Sequence, residues 1–458
     1  MSLSSSEGAD ALLNPSAIHS DPHFLRAVTQ MADAQEVVAS NAIYSESGIK
    51  LLDQGMRIDS RLYERLIQHR LAAAVDDQLS TKNAVDIRAL EAQVLLLSGN
   101  TVLGNLLQRF MGDKHSLLME VLRRMKWPQR ASFKLTVMRH QIPDLYEHSV
   151  LMMMCAVCLA LEEKISLDDC AELAAAALLH DVGMLFMPPN WRNVHYKLSA
   201  QERKQLAAHS ITAMLVVRSA NVYSVRAQDA VLQHHERADG SGYPRHAKGS
   251  EISLWGHILM LAEVVSAFFG KFDDIPAQRL SLMLRMNHNR FDAGLTQHVF
   301  RLLASGLGAG HSTASHTNTE VRQVIATLAA TMQHWILCKR KLPEKWHALS
   351  NARCAVYIDM RMQALEKSLA ESGSHPRQQA DWLQMFEEDP SSMAELVLIN
   401  KEALWQVENC VQACMRRWPQ VMQPSDALEE ALSDWLRNCS DVLGLNAQSP
   451  PVFVEALD

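Results

Sequence analysis

The stretch "HHERADGSGYP", residues 234–244, sets two histidines side by side ahead of Glu236, Asp239 and a turn rich in glycine and proline. Successive residues on a helix point about 100° apart. His234 and His235 therefore do not form a core stripe, but from an irregular helix end both can reach one ion, provided other segments bring further ligands. His148 falls in a helix that begins near Asp144, and His180-Asp181 closes the small-residue run "AELAAAALLHDVG". His209 follows the capping box Ser199-Ala-Gln-Glu202 in an amphipathic helix. Neutral imidazole with carboxylate suits first-row divalent ions. An aspartate can bridge two ions, and paired ions can clamp a phosphodiester and activate water. Histidines on several helices converge only in a bundle interior, where helical proteins build such sites.

The order H, H-D, H, H-H and then D-G-S-G-Y-P resembles the HD-GYP family, a branch of the HD metal-dependent phosphohydrolases, over roughly residues 120–305. "LLHDVG", "LAAHSITAMLVV", "ILMLAEVVSA" and "RFDAGLTQHVF" stand in the family's order. The resemblance implies a helical bundle with divalent transition ions such as iron or manganese, two and in some members three. It implies hydrolysis of cyclic di-GMP to a linear dinucleotide or GMP. By position, His148, His180 and Asp181 would hold one ion, with Asp181 bridging; His180 and Asp181 take the catalytic place. His209, His234 and His235 would hold the second, and Glu263 falls where the family has an aspartate ligand. Asp144, one helical turn before His148, stands where some members place a third-ion glutamate, and helix capping is equally open to it. Asp239, Gly240, Gly242, Tyr243 and Pro244 form the loop expected to flank the site and to meet substrate or partner proteins.

The departures fall on substrate contacts. Met184 occupies the position of a family lysine that faces phosphate, and a thioether carries no charge and donates no hydrogen bond. Ser266 replaces the second aspartate of the A-D-V-x-D-A run. In "FFGKFDDIPAQR", Asp273 and Asp274 add negative charge where members are basic, leaving Lys271 and Arg279 as cations. Two readings stay open: a phosphodiesterase acting on cyclic di-GMP, or a metal-binding scaffold, weak or inactive in catalysis, that works through protein partners at the Tyr243 loop or the C-terminal helices.

The elements that must position this set are helices. The 458 residues hold 48% hydrophobic and 21% charged residues and only 18 glycines, and they call for two or three domains. The expected fold is mainly α: an HD-type helical bundle at 121–304, between a small N-terminal α/β module at 36–120 and a C-terminal helical domain at 320–458. Residues 1–35 read as a polar tail. "SGLGAGHSTASHTNT", 305–319, reads as a linker. Ser45 to Gly48 signals a short β-hairpin, and Asp59 or Ser60 starts a helix carrying Leu62, Leu66 and Ile67. A net charge of −7 without a basic run argues against DNA binding. "VLMMMCAVCLAL" is too short to span a bilayer and reads as a buried helix. The N-terminus lacks a secretory pattern, and eight scattered cysteines suggest buried thiols in a reducing cytoplasm.

Overall fold

Asp21 accepts backbone hydrogen bonds from His23 and Phe24, and Pro22 sits at the first helical position. That pairing starts helix α1, Pro22–Ala34, inside the segment expected to be a polar tail. Phe24, Leu25, Val28 and Met31 recur at helical spacing and are all buried. The computed structural model describes residues 21–193, 196, 198–272, 275–306, 318–371, 374–379 and 390–445. Asp273, Asp274 and most of the expected linker lie outside them; Ser305 and Gly306 close one helix, and Asn318 and Thr319 open the next.

The protein is mainly helical. Chain contacts divide it into two compact units, one drawing on residues 21–276 and 289–306 and the other on 277–288 and 318–445. In the first unit, β1 (Val37–Ala39) pairs antiparallel with β4 (Leu79–Thr81), and β2 (Ile43–Tyr44) pairs antiparallel with β3 (Lys50–Leu52) through the hairpin at Ser45 to Gly48. The helix expected after Asp59 is a 3-10 turn, Ser60–Leu62, running into the short helix α2, Tyr63–Ile67, in which Leu66 is buried and Ile67 exposed. The expected module boundary at 120/121 falls inside a helix, His115–Arg124.

The bundle follows. Its helices are α3 (Ile87–Asn100), α4 (Val102–Met111), α5 (His115–Arg124), α6 (Gln129–Gln141), α7 (Pro143–Glu162), α8 (Leu167–Leu179), α9 (Ala200–Ala207), α10 (His209–Ser219), α11 (Val225–Gln233) and α12 (Leu254–Lys271). Helix α7 starts on a proline, which suits a first turn with no partner for its N–H. It is apolar on nearly all sides because it is surrounded: α8 and α12 pack closely along it, with α6, α3 and α4 beside them. Helix α8, capped by Ser166, runs through buried Ala174 to Ala177, and such small side chains permit close approach to α7. Helices α7 and α12 are long and apolar enough to cross a bilayer, yet two thirds of each is buried inside the protein.

The second unit contains α13 (Pro276–Met286), α15 (Asn318–Lys341), α16 (Arg353–Glu371), α17 (Pro390–Arg417) and α18 (Ala427–Leu443), α14 (Ala293–Gly306) belonging to the first. Its core joins Leu328, Trp335, Ile358, Leu365, Val407, Val411, Trp435 and Leu436 with five buried cysteines. Trp335 and Trp435 meet edge-on with ring centroids 5.3 Å apart. Trp346 and Trp418 pack partly buried against the same core.

Candidate metal centre

Three helix ends and two helix middles bring the site together. His180 lies at the C-cap of α8 and His234 at the C-cap of α11, so both rings project from the place where helical hydrogen bonding stops. His209 opens α10 and does not continue the preceding helix as its capping box suggested: α9 ends at Ala207, and Ala208 intervenes. His148 and Glu263 come from the interiors of α7 and α12.

The ligand-type atoms fall into two groups. His148, His180 and Glu263 have ligand atoms within 4.8 Å of one another, and so do Asp181, His209, His234 and His235. His148 Nε2 is 2.7 Å from Glu263 Oε2. His180 Nε2 is 3.3 Å from both Glu263 Oε2 and Asp181 Oδ2. Asp181 Oδ1 lies 3.1 Å from His209 Nε2 and 3.4 Å from His234 Nε2. His235 Nε2 lies 3.1 Å from His209 Nε2. The positional expectation set Asp181 with His148 and His180 as a bridge; Asp181 reaches His180 through Oδ2 and His209 and His234 through Oδ1, while Glu263 joins His148 and His180.

The rings are aimed. His180, His209 and His234 each set Nδ1 against the carbonyl three residues back, Ala177 at 2.7 Å, Leu206 at 2.7 Å and Val231 at 2.6 Å. A carbonyl only accepts, so Nδ1 carries a hydrogen and Nε2 is the nitrogen turned inward. His148 differs: its Nδ1 is 3.1 Å from the Ser266 hydroxyl, which also lies 3.3 Å from the His148 carbonyl. The serine that replaces a family aspartate thus contacts the outermost imidazole. Its position in the motif was legible, but not what it touches.

The electrostatics suit a cation. His180 Nε2, His234 Nε2 and Asp181 Oδ1 are buried without a hydrogen bond; His234 Nε2 lies 3.4 Å from Asp181 Oδ1 and His180 Nε2 3.3 Å from Asp181 Oδ2. Burial acts most strongly on His180 and opposes its charge, but Asp181 and Glu263 outweigh it and push the ring up to about 10. Burial also opposes ionisation of both carboxyls; His180 and His209 nevertheless hold Asp181 well below the usual carboxylate range, and His148 and His180 do the same for Glu263. Burial pushes His234 down, and burial with the neighbouring rings pushes His235 far down. Neutral imidazoles beside ionised carboxylates are the donor set that first-row divalent ions take.

The Gly-Tyr-Pro loop is built onto this cluster. Tyr243 stacks on His235 with centroids 4.7 Å apart, and its backbone N–H donates to the His235 carbonyl at 3.1 Å. Gly240 has φ +78°, a left-handed conformation that favours glycine. At Gly242 a Cβ would lie 2.4 Å from the Glu236 and Arg237 backbone, so no larger residue fits without displacing it. Asp239 is exposed and accepts from the Ser241 N–H and hydroxyl. Pro244 is half-buried. Fully buried Glu236 accepts from the backbone N–H groups of Arg245 at 2.7 Å and Ala247 at 2.9 Å, closing the loop. The sequence displays Glu236 beside the histidines but not this role. Glu236→Ala is expected to lower stability by about 3–6 kcal/mol, from the loss of two charge-assisted bonds. The midpoint of urea unfolding measures it, and a change below about 1 kcal/mol would show that the loop does not depend on Glu236.

The remaining expected residues lie outside the cluster. Lys271 ends α12, about 12 Å along the axis from Glu263, with its ammonium 4.9 Å over the Phe272 ring. Asp144 is exposed in the first turn of α7, where Ile142 holds the cap position, and it belongs to neither ligand group. Met184 is half-buried in the 3-10 turn Val182–Phe186, directly after Asp181.

Residues 120–295 match the HD domain family model. These residues thus form an HD domain, and the H-D pair and D-G-S-G-Y-P loop within it are similar to those of the HD-GYP family. It is 30% identical to the cyclic di-GMP phosphodiesterase PA4108 of Pseudomonas aeruginosa over 135 residues, 29% of this chain and 33% of that protein. It is 34% identical to the 3'3'-cGAMP-specific phosphodiesterase 3 of Vibrio cholerae over 107 residues, 23% of this chain and 22% of that one. The chain thus spans a third or less of the length of these curated relatives. The solved structure of Bd1817, a HDG"Y"P protein from Bdellovibrio bacteriovorus, aligns with a TM-score of 0.32 at 15% identity, covering 60% of this chain and 94% of that one.

Proposed function

We propose that the chain is a metal-dependent phosphodiesterase that hydrolyses cyclic di-GMP to a linear dinucleotide or GMP. The observation that carries this is the shared position of His180. Its Nε2 is equidistant from Asp181 and Glu263, so the two ligand groups are adjoining halves of one buried centre. His148, His180 and Glu263 would hold one divalent ion, and Asp181, His209, His234 and His235 the other, with Asp181 between them. Iron or manganese suits this donor set. When bound, such ions supply a water of lowered pKa and positive charge against the phosphodiester. The chain itself fixes the direction of each imidazole, keeps bulk water from the carboxylates and presents the Tyr243 loop at the edge of the centre. Eight free buried cysteines fit a reducing cytoplasm.

The test is turnover of cyclic di-GMP by protein loaded anaerobically with iron or manganese, with products separated chromatographically and 3'3'-cGAMP as the competing substrate. Cleavage of neither nucleotide by metal-loaded protein overturns the proposal. Met184 supports a second reading, a metal-holding scaffold for protein partners, because no cation stands at that position.

Metal uptake should also depend on pH. His180 is raised well above an ordinary histidine, so at neutral pH the metal-free ring holds a proton that an ion must displace. His234 and His235 are lowered and have none to release there. Affinity should therefore rise as pH rises, by about tenfold per unit for that one proton, until pH nears the His180 value. Calorimetric titration in buffers of different ionisation enthalpy measures the proton released, and a flat affinity from about pH 6 to 8 would contradict this.

A further inference from the structure

The turn carrying Asp181 is gripped at both ends. On one side Gly183 meets α10 so closely that a Cβ there would lie 2.1 Å from the His209 carbonyl oxygen. At the other end the turn finishes in Phe186, whose ring stacks on Phe24 of α1 with centroids 5.0 Å apart and planes 17° from parallel. Phe24 is 1% exposed and Phe186 7%. Behind Phe24 stands a buried charge: Lys134 Nζ of α6 lies 5.5 Å from the Phe24 ring centroid and pairs with Asp76, each side chain 4% exposed. Helix α1 packs on the Ser60–Leu62 turn and on α2, and so joins the N-terminal module that holds Asp76; the module is tied to the bundle by an ion pair and an aromatic stack that both bear on one ring.

Between Asp181 and Phe186 the turn is held mainly by packing: Val182 and Leu185 are buried, and the turn lies against α10, α1 and α6. Its own bonds are Met184 N–H to the Asp181 carbonyl at 2.9 Å and Met187 N–H to the Met184 carbonyl at 3.4 Å. Five residues of 3-10 turn reach only about 10 Å, so a shift at Phe186 arrives at Asp181 with little slack to absorb it. Close-packed interiors transmit such displacements. Asp181 stands 3.1–3.4 Å from three histidines, and sites of this kind lose function steeply with misplacements of about 1 Å.

We propose that Phe24 is a positioning residue for the Asp181 turn, and that the N-terminal module thereby sets the metal affinity of the centre. This rests on the reading of that centre as metal-binding. The full chain is compared as wild type, Phe24→Ala, Phe24→Leu and Met31→Ala. Met31 is equally buried on α1 but lies about 10 Å further along it. Two readouts are taken: amide hydrogen exchange of residues 182–187 in metal-free protein, and Mn2+ affinity.

Phe24→Ala should speed exchange of the turn by about tenfold or more and weaken Mn2+ binding by about tenfold, within the range typical of outer residues around a metal. Phe24→Leu should recover most of both, and Met31→Ala should change neither by more than about twofold, although its melting temperature falls. If Phe24→Ala does not fold, Phe24→Val, which also removes the stacked ring, takes its place against Met31→Ala with the same expectation. Equal exchange of the turn in that Phe24 variant and in Met31→Ala overturns the inference, as does faster exchange with unchanged Mn2+ affinity. A wild type that binds no Mn2+ defeats the metal reading of the centre, and the exchange comparison then decides alone whether Phe24 holds the turn. A wild type that binds Mn2+ but cleaves no cyclic dinucleotide defeats the proposed activity and leaves the role of Phe24 standing.

Discussion

Asp181→Ala should abolish the rise in melting temperature that Mn2+ gives the wild-type protein. A ligand held at a hundredfold over its Kd stabilises the native state by about 2.7 kcal/mol. For a unit of this size that is roughly 5–10 °C. The carboxylate lost is the one within 3.1–3.4 Å of three imidazoles, and no neighbouring oxygen can replace it, because Glu263 is taken up with His148 and His180. The metal-free variant should also be less stable than metal-free wild type, since charged His180 loses one of its two carboxylate partners in a dry site. Melting each protein with and without metal separates the two effects. A variant that keeps the full metal-dependent shift would show that Asp181 is not a ligand, and cyclic di-GMP turnover should then survive as well.

Met184→Lys should raise kcat/KM for cyclic di-GMP by about ten- to hundredfold. A charge-assisted contact to phosphate in a partly dry site contributes about 1.5–3 kcal/mol, and each 1.4 kcal/mol is about tenfold. The position is favourable because the turn is already fixed: the Met184 N–H is bonded to the Asp181 carbonyl, and the side chain is half-buried beside the centre. Leu95→Lys, on a side chain 60% exposed on α3, controls for added charge alone. Rapid wild-type turnover unaltered by Met184→Lys would mean that the missing lysine costs nothing. Metal-loaded protein that neither binds nor cleaves the nucleotide, with or without the lysine, would favour the scaffold and direct attention to partners of the Tyr243 loop.

The helices and the seven clustered side chains were legible because their signals are local: Ser166 and Ser199 announce helix starts, and the small residues before His180 announce a buried end. What stayed hidden is non-local. Nothing in spacing says that Glu263 reaches both His148 and His180, because that depends on how α7 and α12 align. The break at Ala208 was not legible because no glycine or proline marks it between Ala200 and Ser219. Helix α1 is the instructive omission. Asp21-Pro22 and the Phe24, Leu25, Val28, Met31 spacing are a complete helix signal that directly follows a serine-rich polar stretch. Glu236 was visible beside the histidines, but its acceptors' partners, Arg245 and Ala247, lie across a turn whose closure sequence alone does not specify.

The imidazoles of His180, His209 and His234 are each braced by a carbonyl three residues earlier in the chain, so aim and convergence have separate origins. Aim is written within three residues and is delivered as soon as that turn forms. Convergence needs helices from distant parts of the chain and comes late, after the loop-closure entropy has been met. Early folding would therefore present nitrogens already pointed but not yet gathered. An ion arriving then meets pairs of ligands at most, and one arriving after the helices dock meets a finished cage. Capture by the native protein should accordingly proceed with little change in helix content, unlike small zinc modules that fold around their metal.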